Sequence, residues 1–457
     1  MTAVASACLI IDTSFSMTDY GYVANTVIDS KAFVTYALAG DAIAVVNYDV
    51  NGNNCYAPNG QMAVVDSTLS QLAAATAAIS GLTFQGTCTN IGGGIQAAYN
   101  LLNTSSITPK ATVLLTDGEQ NCGTPPLNVV SSTTPPVYSC AMGPHSDQKL
   151  LQQIASTTNA VYYYMPYPFN MMQIYNQIRA IQPRTRAVQN YMAAMTTSQQ
   201  SLLLPASITS TSELQQVGVV WSDSTYVYSN NSSPTGNQLY IVLYQPNGQI
   251  YPAAPTRQGA GYVVFDVPNP QVGTWNVYVQ YAGSVNALYV TTGVFEFTPA
   301  GASEIRLAVD APAVLAAGSA LNVKARLLHE DEEPVTIQTI TAEVVAPVLS
   351  IKNALATYRD EIGGVRPILP EPSHDEDTPQ RRLALLHRLH LPVRDILPHR
   401  TTAAPMVAAD DGSHQLIVPD TRQAGSYNIM VRATGYSQKS KSPVQRTQLV
   451  SVLVNDK

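Results

Sequence analysis

Short apolar runs ending on a polar residue, separated by stretches of helical periodicity, recur through the first 182 residues and constrain this chain more than any other feature. Cys8-Leu9-Ile10-Ile11 runs into Asp12, as a strand buried on both faces should. A helical pattern over residues 17–38 follows, with Val23, Val27, Ala32, Phe33, Tyr36 and Ala37 on one side. Strands are expected at residues 42–46, 62–65, 111–115 and 161–164, and helices at 67–81, 91–102, 147–157 and 171–181. Strands spaced by single helices imply a mostly parallel, doubly wound α/β sheet covered on both faces. Ligands of such sheets sit at the carboxyl ends of the strands.

Three loops at that edge concentrate oxygen donors. The first strand leads into Asp12-Thr13-Ser14-Phe15-Ser16; the loop before residue 91 reads Gly86-Thr87-Cys88-Thr89-Asn90; the strand at residue 111 ends in Thr116-Asp117-Gly118-Glu119. The carboxylates of Asp12 and Asp117 with several hydroxyls suit a hard divalent cation. Each piece also has a plain structural reading: Asp12 and Ser14 as helix caps, Asp117-Gly118 as a turn. The three together favour the metal.

In this order and at these element ends, Asp12-x-Ser14-x-Ser16, Thr89 and Asp117 resemble the metal-ion-dependent adhesion site of the von Willebrand factor A domain, the integrin I-domain fold. The resemblance covers roughly residues 5–182, within a domain bounded at 1–182. It implies that Ser14, Ser16 and Thr89 bind the metal directly and that Asp12 and Asp117 act mainly through water. One coordination position would remain for a partner's carboxylate. Thr89 is taken over Thr87 because the family places its ligand directly before Asn90-Ile91. Mg²⁺ is the expected ion, with Mn²⁺ or Ca²⁺ as alternatives.

Cys8 falls within a strand and reads as a buried thiol. Cys55, Cys88, Cys122 and Cys140 fall near the metal edge. They either form two disulfides, Cys122–Cys140 and Cys55–Cys88, or remain free thiols. Residues 121–144 read as one long Pro-containing loop beside Asp117, long enough to serve partner specificity.

After residue 182 the periodicity changes to that of short strands. Residues 183–301 read as a β-sandwich with Trp275 as a core anchor, and residues 302–457 as a second, immunoglobulin-like sandwich. Gly273-Thr274-Trp275 and Gly425-Ser426-Tyr427 with their following strands resemble β-sandwich modules of bacterial surface proteins. Charge separates the parts: residues 1–302 hold 7 Lys+Arg and 13 Asp+Glu, residues 303–457 hold 17 and 18. A charged, partly helical insertion occupies about 351–405. It contains the acidic stretch at 371–377 and a basic amphipathic helix at 380–390, expected to pack through Leu383, Leu386 and Leu389. His387 and His390 on that helix are three apart, a spacing that also permits a metal.

The chain has 457 residues and a net charge of −7, with no clustered basic footprint for nucleic acid. No apolar run is long enough to span a bilayer, and no secretory leader is readable at the start. The sequence contains no G-x-S-x-G, Walker A, G-x-G-x-x-G or H-E-x-x-H signature, so no enzyme is expected. The leading reading is a metal-ion-dependent protein-binding or adhesion protein. The alternative is an intracellular assembly or scaffold subunit with a permanent partner; a metal-assisted hydrolase is the weakest. Cysteines and domain type point to an extracellular or cell-surface location, and the missing leader to the cytoplasm as the alternative.

Overall fold

The computed structural model describes residues 4–283, 287–299, 301–331, 335–367, 376–391 and 393–456. The acidic stretch lies outside them at residues 371–375. Between Ser6 and Ile181 the chain forms a seven-stranded sheet. Its strands are β1 (Ser6–Asp12), β2 (Ala42–Tyr48), β3 (Gly52–Tyr56), β4 (Ala63–Val64), β5 (Lys110–Thr116), β6 (Val137–Met142) and β7 (Tyr162–Met165). The spatial order is β3-β2-β1-β5-β6-β7, with β4 beside β2. Pairing is parallel from β2 through β7, and antiparallel for β3 and β4 against β2.

Alternation along β1 explains why the sheet needs covering twice. Leu9 and Ile11 enter one buried cluster; Cys8 and Ile10 enter another. The first cluster is completed by α2 (Val23–Val34), α3 (Ser70–Ser80) and α6 (Met171–Ile181), through Phe33, Leu72, Ile79, Ile174 and Ile178. The second is completed by α4 (Ile91–Leu102) and α5 (Gln148–Thr157), through Ile91, Ile95, Leu102, Leu151 and Ile154.

Two local expectations fail here for physical reasons. The helix expected over 17–38 is broken into α1 (Phe15–Asp19) and α2, because Gly21 turns the chain at φ +78°. The long loop expected over 121–144 contains β6, an interior strand between β5 and β7. Its run Val-Tyr-Ser-Cys-Ala-Met carries no aliphatic pattern and directly follows Pro135-Pro136, which hides it from periodicity.

Beyond residue 182 the described residues form four further sheets, arranged in two pairs. In the first pair, a five-stranded sheet faces a four-stranded one around Trp221, Trp275, Leu239 and Val279. In the second, sheets of four and five strands enclose Leu321, Val323, Ile340, Tyr427, Ile429 and Val452. Helices α7 (Ile351–Thr357), α8 (Arg359–Gly364) and α9 (Pro379–His390) share a small core of Ala354, Tyr358, Ile362, Leu383 and Leu386. Leu389 departs from expectation: it is 61% exposed, in the last turn of α9, while Arg381, Leu385 and His387 earlier on the helix are buried. His387 and His390 do not share a ligand; His387 faces Asp395 and His390 faces Glu361. No helix among the described residues is long and apolar enough to cross a membrane.

The parts are joined by polar contacts in buried settings. Strand β7 lies at the end of its sheet, against the strands Gly425–Ser437 and Ser442–Asn455. Asn428 Nδ2 donates to the Tyr164 carbonyl (2.7 Å), and Tyr162 OH lies 2.8 Å from Ser426 Oγ. On another side, Gly218 makes room for Tyr36, whose hydroxyl would stand 2.0 Å from a Cβ at that position. Glu296 and Arg446 form an ion pair at 2.9 Å with side chains 0% and 3% exposed. Arg446→Met alone would leave Glu296 buried without its cation. It should lose about 3–5 kcal/mol, read as a shift of the urea unfolding transition, and adding Glu296→Leu should recover part of that loss.

His399 sits where the insertion meets the α/β domain, 5.7 Å from the Tyr167 ring, while Tyr167 OH donates to Asp395. Burial holds His399 down to about 4, against the pull of Asp395 and with the help of His387. An unfolded histidine titrates near 6.5. The unfolded chain therefore takes up this proton first as the pH falls, so the contribution is full above about 6.5 and shrinks toward 4. The thermal midpoint should drop across that window, and His399→Gln should flatten the drop.

Candidate metal centre

The carboxyl edge of the sheet is built by adjacency. β1 and β5 are neighbours in register, Ile11 opposite Leu115, so Asp12 and Asp117 leave the sheet close together. Both are 0% exposed, and Ser14, Ser16 and Thr89 are at most 2% exposed. Thr87, the alternative in the second loop, is only partly buried.

Hydrogen bonds tie the three loops into one cluster. The Ser14 amide donates to Asp12 Oδ1 (2.9 Å), Ser14 Oγ and Ser16 Oγ are 2.9 Å apart, and Ser16 Oγ donates to Asp117 Oδ1 (2.8 Å). Gly118 supplies the opposite wall. A Cβ there would stand 3.4 Å from Thr89 Oγ1, 3.6 Å from Thr89 Cγ2 and 3.8 Å from Ser16 Oγ, which places Thr89 beside Ser16 and Asp117. The five residues singled out in the sequence thus converge. Among the described residues, no three His, Cys, Asp or Glu side chains meet as a metal cage, so hydroxyls would form much of any coordination sphere here.

Neighbours that the sequence reading did not single out complete the setting. Thr116 Oγ1 and Tyr48 OH both donate to Asp12 Oδ2, at 2.6 and 3.2 Å. Burial raises the Asp12 carboxyl above its ordinary range, offset in part by the bonds from Ser14, Thr116 and Tyr48. His145 Nδ1–H lies 3.3 Å from the Asp117 carbonyl, and burial, helped by Arg381, pushes this histidine down to about 4. Only Thr116, beside Asp117 at a strand end, carried a local signal. A divalent cation matches this all-oxygen donor set and would compensate two carboxylates shut away from water.

The cysteine pairing differs from both expected pairs. Cys88 is bonded to Cys122, with Cα atoms 6.1 Å apart, and Cys8, Cys55 and Cys140 are free. The loops bearing Cys88 and Cys122 are laced together, since Thr89 N donates to Asn121 Oδ1 (2.8 Å) and Asn121 N to the Thr89 carbonyl (3.2 Å). Cys140 is unavailable because it lies inside β6 and is 0% exposed. Cys55 lies on β3, where burial raises its thiol to about 11. Non-reducing peptide mapping should return the single bridge Cys88–Cys122. Cys122→Ser should cost about 2–4 kcal/mol for a loop of this length, and Cys140→Ser should leave the bridge intact.

A sequence model of the von Willebrand factor type A domain matches residues 8–177, more than a third of the chain. That segment is a von Willebrand factor type A domain. Among solved structures, the chain is similar to a von Willebrand factor type A protein from Catenulispora acidiphila. The identity is 16% and the TM-score 0.38, covering 72% of this chain and 63% of that one. It is also similar to the PilB minor pilin from Streptococcus sanguinis (13% identity, TM-score 0.29, covering 39% and 60%). A third is the pilus adhesin SpaC from Lactobacillus rhamnosus GG (11% identity, TM-score 0.31, covering 98% and 56%). The chain thus spans less than two thirds of each of these proteins. No curated protein matches it.

Proposed function

We propose that this is a protein-binding or adhesion protein whose A domain holds a divalent cation, Mg²⁺ first among candidates, at Asp12, Ser14, Ser16, Thr89 and Asp117. The observation that carries this reading is the convergence of two fully buried carboxylates and three hydroxyls from three loops at one sheet edge. A partner's carboxylate would complete the coordination, because an anion and a dication each replace the other's water in a walled site. The role is recognition rather than catalysis, at the cell surface or outside the cell. The two pairs of sheets act as two sandwich modules that carry the A domain.

One observation favours a second reading. All five residues are at most 2% exposed, and the Cys88–Cys122 bond ties the loop of Thr89 to the chain that follows Asp117. A site so enclosed also suits a cation kept as a permanent part of the fold, in a subunit that holds its partner continuously.

The two readings separate in one experiment on the full chain. Mg²⁺ or Mn²⁺ should raise the thermal midpoint relative to EDTA by several degrees, and Asp12→Ala should abolish the rise, since a ligand specific to the native state stabilises it. Immobilised acidic peptides should then retain the protein with Mg²⁺ and release it with EDTA. Stabilisation without retention would select the permanent cation, and no stabilisation by either ion would remove both readings.

A further inference from the structure

We propose that α9, which reaches the A domain from more than 350 residues further along the chain, positions two of the three metal loops, with Arg388 as the principal positioning residue. The inference rests on the reading that the five loop residues hold a cation, and it concerns what fixes them.

The first contact is on α1, the five-residue helix that carries Ser16. Arg388 Nη1 donates to the Thr18 carbonyl (2.9 Å) and to that of Asp19, at the end of this helix. A guanidinium there takes up the Asp19 carbonyl, joins the Gly21 amide on the Thr18 carbonyl, and opposes the negative end of the helix. A helix this short has no stability of its own, so its position depends on what holds its ends. Gly21 is part of the device: a Cβ there would come within 3.1 Å of Arg388 Nε. The same glycine thus ends the α1 turn and admits the arginine.

The second contact is on residues 143–147, which follow β6 and support Asp117 and Gly118 from behind. Gln380 Nε2 donates to the Pro144 carbonyl (2.9 Å). Within that segment His145 approaches the Asp117 carbonyl, and Asp147 N donates to the Gly118 carbonyl (3.4 Å). Between the two contacts lies Arg381, 1% exposed, with its guanidinium carbon 6.0 Å from the centre of the Tyr20 ring. Tyr20 packs edge-on to His145 at 5.5 Å. α9 therefore bridges the segment bearing Ser16 and the segment behind Asp117, whose side chains meet at 2.8 Å.

Arg388 is exposed, so its replacement empties no core position. Groups that orient metal ligands typically account for 10–100-fold in affinity. The test uses the full chain, stripped with EDTA and titrated calorimetrically with MgCl₂ and with MnCl₂. Arg388→Ala should weaken binding about tenfold or more. Arg388→Lys, which can still donate to one carbonyl, should fall between, and Gln380→Ala should weaken binding by a smaller factor. Arg382→Ala, on the same helix but paired with Asp377 in solvent, should bind as the parent does.

Amide hydrogen exchange without cation gives an independent arm: residues 14–20 and 143–147 should exchange faster in Arg388→Ala. Parent-like affinity in a folded Arg388→Ala overturns the proposal, and if that variant does not fold, parent-like affinity in Gln380→Ala does so. Failure of the parent chain to bind either ion overturns the metal reading itself; exchange then decides the positioning role, and unchanged exchange overturns it.

Discussion

Two carboxylates placed side by side and shut away from water set the terms for the whole upper edge of this protein. Parallel pairing of β1 and β5 ends both strands at one level, which brings Asp12 and Asp117 together with no freedom to move apart. Removing even one carboxylate from water is costly unless donors or a cation replace the water. The surroundings answer that need: hydroxyls from Ser14, Ser16, Thr116 and Tyr48, and the Ser14 amide, all point inward. A dication would compensate both charges together.

The pattern of the first 182 residues exposed this edge because strand and helix periods differ and strand ends are marked by polar residues. α4 and α6 fall on their expected bounds, and all five candidate residues come together. What escaped the sequence shares one cause, namely that the deciding partner is remote. β6 is a strand because β5 and β7 flank it, whatever its own composition. Cys122 meets Cys88 because Asn121 and Thr89 bond each other across two loops. Arg388 matters through α1, a contact that no local window of sequence contains.

The low charge of residues 1–302 also gains a meaning from the contacts. Where the A domain meets the first pair of sheets, neutral amides share the joining with one buried arginine: Gln216 Nε2 donates to the Tyr36 carbonyl (3.3 Å), Asn176 Nδ2 to Asn190 Oδ1 (3.2 Å), and Arg179 lies over the Phe297 ring. Neutral amides cost less to bury than ions. The more charged C-terminal region meets the rest through ions as well: Arg446 and Glu296 form a closely matched buried pair, and Arg381 and Arg388 face the A domain.

Strand β7 has a consequence for how this chain can be divided. It pairs with β6 on one side only, and on the other its Tyr164 amide and carbonyl are taken up by Ser451 and Asn428. Cut after residue 182, the domain would present that row of backbone groups bare, a template onto which another strand can add. The C-terminal sheet is therefore also a guard against self-association. An A domain expressed by itself would be expected to clump unless Lys or Pro were built into β7 to blunt it.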